Sequence, residues 1–180
     1  WPLYPTDAIL SMISISANLA GAQGDLGNAD VGELLDRRAF DLLAQVQPML
    51  HPLSVAASPP QVLDRMASGD EIWYVPLTFG YSTYQRGAAV ARLRFGPVPR
   101  ASDAFGCSVL GGAGAAISAT ARQPNEAAAF LSWLVSNDAR CQLARHGGQP
   151  DGLDVWRDPV ADAAAGGFFS ATLSSLAASV

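Results

Sequence analysis

Few residues in this chain have the chemistry of a catalyst. Histidine, the usual general base near neutral pH, occurs only as His51, before Pro52, and as His146, before Gly147-Gly148. Neither has the HExxH spacing of a zinc site, and a lone histidine at the end of an element reads as structural or solvent-facing. Gly106-Cys107-Ser108 supplies only the first half of a GxSxG nucleophile elbow. A Cys107 or Ser108 nucleophile would also need a base, and the sequence offers none. Gly112-Ala113-Gly114-Ala115-Ala116-Ile117 begins like a dinucleotide fingerprint, but it lacks the third glycine and continues as an apolar stretch instead of opening a helix. Asp151, Asp154, Asp158 and Asp162 recur at helical spacing without the order of an EF-hand, and Asp158 before Pro159 fits a helix N-cap. Cys107 and Cys141 have no CxxC spacing for zinc or thiol redox chemistry. The expectation is a protein that is not an enzyme, with no metal and no cofactor.

Binding chemistry is better represented. Trp73, Tyr74, Phe79, Tyr81 and Tyr84 fall close together, interleaved with Thr78, Ser82, Thr83 and Gln85. Aromatic faces stack on the C–H faces of a sugar, and short hydroxyl and amide groups pair with its hydroxyls, so the pattern suits a neutral polyol. The same aromatics packing the domain is the alternative, and spacing alone leaves both open. Strand alternation would send one of Trp73 and Tyr74 into the core. The glycine clusters Gly111-Gly112-Ala113-Gly114 and Gly147-Gly148-Gln149-Pro150 allow close backbone approach, with a helix cap as the other reading for Gly147.

The elements that would position these residues alternate between helix and strand signals. A helix follows Pro5-Thr6-Asp7, with Ile9, Met12, Ile13, Ser16, Leu19 and Ala20 at helical spacing. A second starts near Asp30 and carries Leu34, Leu35, Phe40, Leu42, Leu43 and Val46 to Pro48, and a third runs from Pro59 after Ser58 to Gly69. Ile72 to Leu77 reads as a buried strand, Phe79 to Arg86 as a loop, and Val90 to Phe95 and Val109 to Ser118 as further strands. The helix from Pro124 should bury Ala127, Ala128, Phe130, Leu131, Trp133, Leu134 and Val135. Ser136 restarts a turn towards Gly147, and short helices follow at Asp158-Pro159 and at Phe168 to Ala178. Helices before, between and after strands predict an α/β layered domain.

Composition excludes some partners. The 180 residues are 49% hydrophobic and 15% charged, with a net charge of −5. That argues against disorder and against a cationic face for nucleic acid or an anionic bilayer. The longest nearly apolar run, Val109 to Ile117, is far short of the roughly 20 residues that span a membrane.

Several stretches, taken in order, resemble a known family. Met66-Ala67-Ser68-Gly69-Asp70-Glu71-Ile72 is followed by Val75-Pro76-Leu77-Thr78-Phe79-Gly80-Tyr81-Ser82-Thr83-Tyr84. Leu110-Gly111-Gly112-Ala113-Gly114-Ala115-Ala116-Ile117-Ser118 precedes a helix with Pro124, Ala127, Ala128, Phe130, Trp133 and Leu134. His146-Gly147-Gly148-Gln149-Pro150, Trp156, Asp158-Pro159 and Phe168-Phe169-Ser170-Ala171-Thr172-Leu173 complete the set. Together they resemble the extracellular solute-binding proteins of ABC sugar importers, the group related to maltose-binding protein.

The resemblance implies a periplasmic-binding-protein-like (type II) α/β fold, mostly one lobe with a mixed sheet and flanking helices. Residues 1–180 would be the C-terminal portion of a two-lobed receptor. Within it, 1–100 would be mainly the C-terminal lobe, 101–146 a segment that packs with the N-terminal lobe, and 147–180 the C-terminal helices. It implies carbohydrate binding by Thr78, Phe79, Tyr81, Tyr84, Gly112 and Gln149. The partners implied are an ABC permease and the missing N-terminal lobe, not nucleic acid, at a periplasmic, extracellular or lipid-anchored location. Ala113 stands where many relatives carry a bulkier residue. In such a location Cys107 and Cys141 could form a disulfide or remain two buried thiols. The alternatives are an α/β hydrolase-like enzyme using Ser108 or Cys107, and a sugar-sensing lobe without a transport partner.

Overall fold

The computed structural model describes residues 1–20, 31–86, 93–100 and 106–179, and its regular elements are all helical. They are α1 (Pro5–Ala20), α2 (Val31–Leu34), α3 (Arg37–Val46), 3-10 turns at Gln47–Met49 and Pro52–Val55, α4 (Pro59–Ser68) and α5 (Ser82–Arg86). After these come α6 (Pro124–Leu134), α7 (Asn137–Arg145), α8 (Leu153–Trp156), α9 (Pro159–Ala164) and α10 (Phe168–Ala177).

Local signals account for the helix ends. Proline occupies the first turn of α4, α6 and α9, where its missing N–H leaves no bond unmade. The Asp158 carboxylate accepts from the Val160 N–H at 2.9 Å, and the Ser58 N–H donates to the Gln61 side chain at 2.9 Å. At the end of α7, Gly147 adopts φ 89°, its N–H reaches the Ala144 carbonyl at 3.1 Å, and the Gly148 N–H reaches the Leu143 carbonyl at 2.8 Å. That is a Schellman closure, and the positive φ explains the glycine. The helix expected from Asp30, a residue outside those described, is interrupted instead. Asp36 ends the break by accepting from the Arg38 N–H at 2.8 Å, which caps α3.

The apolar interior is divided. Trp156, Phe168 and Phe169 pack with Val155, Ala144, Ala161 and Ala165 beneath α7 to α10. Trp1, Ile15 and Ala39 join α1 to α3. Smaller clusters seat Val62 against Ala57 and Ile72, and Leu63 against Ala67 and Leu93.

The α/β expectation is overturned, and with it the periplasmic-binding-protein-like mixed sheet: among the described residues there is no strand and no sheet. Ile72 is buried, but Trp73 and Tyr74 are 83% and 67% exposed, so neither enters the core. Of the strand expected at Val90 to Phe95, the first half lies outside the described residues. Among the described residues the rest makes one backbone–backbone bond, from the Leu93 N–H to the Tyr84 carbonyl at 3.3 Å. Leu110 to Ile117 are exposed and non-helical, and no backbone hydrogen bond ties them to any described residue. A sheet needs a second extended segment alongside to exchange bonds. Short apolar runs and period-two alternation report one-sided burial, not that lateral partner. At Ile72 and at Cys107 to Val109 the neighbours are helices, α4 and α1.

The expected buried stripe of α6 is also corrected. No residue of that helix is buried, and Phe130 and Trp133 are 57% and 45% exposed. An amphipathic pattern says that a helix has a face to cover, not what covers it.

Candidate functional site

The segment from Thr78 to Arg86 is where distant parts of the chain meet. Phe79 lies close against Gly111: a Cβ added there would fall 2.5 Å from the ring. Further on, the Ser82 hydroxyl donates to the Gly147 carbonyl at 2.6 Å. The Gln85 amide donates to the Gly166 carbonyl at 2.8 Å and accepts from the Phe95 N–H at 3.1 Å. Arg86 donates to the Arg145 carbonyl at the end of α7, where a cation also opposes the negative end of the helix dipole. Its Nη1 is buried without a partner among the described residues, lying where a side chain on Gly147 would go. The loop expected at Phe79 to Arg86 is therefore half helix, because Ser82, Gln85 and Arg86 fasten α5 to three other segments.

This arrangement sorts the expected ligand residues. Thr78, Phe79 and Tyr81 are half-buried, and Gly112 is exposed with open space where a Cβ would be. Gln149 is exposed and belongs to the loop that Ser82 holds through Gly147. Tyr84 is turned away. Its ring meets Tyr81 edge-on at 6.2 Å and packs by Leu63, while its hydroxyl donates to Asp64 at 2.7 Å, with the Pro60 carbonyl at 3.2 Å. Loss of solvent first, then the bond to Asp64 and the charge of that carboxylate, pushes the Tyr84 hydroxyl up to about 12. Burial pushes the Tyr81 hydroxyl up, with a smaller contribution from the Asp7 carboxylate, and burial also pushes the Asp7 carboxyl up.

Two surface depressions lie elsewhere. One of about 470 Å³ is lined by Arg122, Gln123, Pro124, Asn125 and Glu126, and one of about 370 Å³ by Leu19, Arg38, Asp41, Leu42 and Gln45. Neither is lined by the expected ligand residues.

The other candidates have structural occupations. His51 accepts the Leu53 N–H at 3.1 Å through Nδ1 and places Nε2 3.4 Å from Glu71; His146 is exposed where α7 ends. Asp151 receives Arg140 through bonds of 2.6 and 3.2 Å, and Asp162 accepts from the Ser170 N–H at 3.0 Å. Among the described residues no cluster of three metal-ligating side chains occurs, and no helix is long and apolar enough to cross a membrane.

Cys107 is buried and Cys141 half-buried, and both are free thiols, so no bridge joins them. Burial pushes the Cys107 thiol up, which favours the protonated, unreactive form. Ser108, beside it, is half-buried, and no hydrogen bond links either residue to a histidine.

Polar side chains on two faces of α1 hold distant backbone, which no motif marked. Ser11 accepts from the Trp1 indole at 3.1 Å, Ser16 accepts from the Asp36 N–H at 2.9 Å, and Ser14 and Asn18 bond the backbone at Val109 and Cys107. Ser11, Ser14 and Ser16 are all buried. The available signal was their place inside an otherwise apolar helical pattern, because a buried hydroxyl needs a partner.

No protein-family model matches this chain, and no curated protein or solved structure matches it.

Proposed function

We propose that the chain is part of an extracytoplasmic substrate-binding component of an ABC transporter, binding a carbohydrate and passing it unchanged to a membrane permease. The observation that carries this reading is the edge made by Phe79 on Gly111, next to Gly112, with Tyr81 following and the Gln149 loop tied to the same segment through Ser82 and Gly147. A half-buried aromatic ring, exposed glycine backbone and an exposed amide are the groups that stack on a sugar ring and pair with its hydroxyls.

The exposed apolar side chains of Leu110, Ile117, Phe130, Trp133, Leu134 and Val135 support the second part of the reading, a further lobe of the same receptor covering these side chains. An open edge holds only one side of a ligand, so the chain alone should bind weakly.

The test is an NMR titration of the chain with glucose, xylose, maltose and trehalose at millimolar concentration. One of them should shift the Phe79, Tyr81 and Gly112 resonances in a saturable way, and Tyr81→Ala should weaken that response. Unchanged spectra across the panel would overturn the reading.

A further inference from the structure

The glycine-rich segment is held in place by a helix instead of a strand. Asn18, near the end of α1, grips Cys107 on both sides: Nδ2 donates to the Cys107 carbonyl at 2.5 Å, and Oδ1 accepts the Cys107 N–H at 3.1 Å. The second Nδ2 proton goes to the Ser14 carbonyl at 2.8 Å, which locks the amide plane. One turn earlier on the same face, the Ser14 hydroxyl accepts the Val109 N–H at 3.1 Å and donates to the Leu10 carbonyl at 2.8 Å. A neighbouring antiparallel strand exchanges the same pair of bonds with a single residue. Here a side-chain amide does so.

The consequence is register. From Leu110 to Ile117 no backbone hydrogen bond ties the segment to any described residue, and Gly111 sits close against the Phe79 ring. Cys107 and Gly111 are separated by at most about 14 Å of extended chain. The point where α1 grips the backbone therefore sets which residue meets Phe79. A slip of one residue would bring Leu110 or Gly112 to the ring and reverse the side-chain directions.

We propose that Asn18, with Ser14, is a positioning residue for the ligand edge of Phe79, Gly111 and Gly112, acting by fixing the register of residues 107–111. The proposal rests on the saccharide reading above.

The test uses Asn18→Leu, which removes both bonds to Cys107. Asn18→Asp keeps the acceptor for the N–H but turns an anionic oxygen towards the carbonyl, and Ser14→Ala frees the Val109 N–H. Amide exchange is read at Cys107, Val109 and in α7 to α10, and affinity is measured for whichever of glucose, xylose, maltose and trehalose shifts the wild-type spectrum. Both Asn18 variants should lose about tenfold or more in affinity, and Ser14→Ala about threefold, with protection in α7 to α10 unchanged. Cys107 exchange should rise in Asn18→Leu, whereas Asn18→Asp should keep its N–H protected while still losing affinity. If Asn18→Leu fails to fold, the other two variants carry the same comparison. Affinity within about twofold of wild type, with the Cys107 or Val109 amide freed, would overturn the positioning role alone. A wild-type chain that binds none of the four sugars would overturn the saccharide reading and the role built on it.

Discussion

Replacing Tyr84 by phenylalanine separates two roles for an aromatic residue that the family resemblance assigns to a ligand. In the structure its hydroxyl donates to Asp64 at 2.7 Å and its ring packs by Leu63, so Tyr84→Phe keeps the ring and deletes the bond. A hydrogen bond to a charged acceptor contributes about 1.5–3 kcal/mol. Tyr84 is only half-buried and Asp64 is exposed, so solvent screening reduces this to ~1 kcal/mol. For a chain of this length the melting temperature should fall by about 2–4 °C.

A double-mutant cycle by urea denaturation, pairing Tyr84→Phe with Asp64→Ala, should return a coupling energy of ~1 kcal/mol. The pH dependence has a definite sign. The folded-state hydroxyl titrates at about 12 and the free group at 10.0, so the unfolded chain loses this proton first. The stability due to the protonated hydroxyl is fully present below pH 10 and is lost as pH rises towards 12. Tyr84→Phe should lack that component. A coupling within about 0.3 kcal/mol of zero would refute the structural role. So would loss of saccharide affinity in Tyr84→Phe at unchanged stability, which would return Tyr84 to the ligand.

Two further substitutions probe the framework. Phe169→Ala empties a fully buried position in contact with Trp156 and Phe168, and by the general cost of such truncations it should destabilise the chain by about 3–5 kcal/mol in urea denaturation. Gly147→Ala forces a side chain into φ 89° and against Arg86, which should cost about 1–3 kcal/mol and raise amide exchange at Gly148, whose N–H closes α7.

Helix punctuation was the most legible part of the fold. Pro59 after Ser58, Pro124, Ser136 and Asp158 each mark a start that the structure keeps, because capping and first-turn proline are satisfied within a few residues. The strands were misread for the opposite reason. The pattern in Ile72 to Leu77 and Val109 to Ser118 specifies apolar, extended-prone backbone, while strand formation depends on a partner far along the chain. Of the candidate site, the aromatic segment and both glycine clusters could be named from the sequence. That Tyr84 serves Asp64, that Ser82, Gln85 and Arg86 are engaged with other backbone, and that Asn18 grips Cys107 depend on contacts with no local signature.

By itself, the sequence determined what short-range chemistry can decide: the capped or proline-led helix starts at Pro59, Pro124, Ser136 and Asp158, the absence of a legible catalytic motif and the negative net charge. Only the tertiary structure decided that the extended segments form no sheet among the described residues, that the apolar face of α6 is exposed, that Gly147 takes a positive φ to close α7, and that Phe79 meets Gly111. The physical reason is range. A cap or turn is satisfied within one helical turn of its own residue, whereas burial and pairing belong to whichever distant segment arrives alongside.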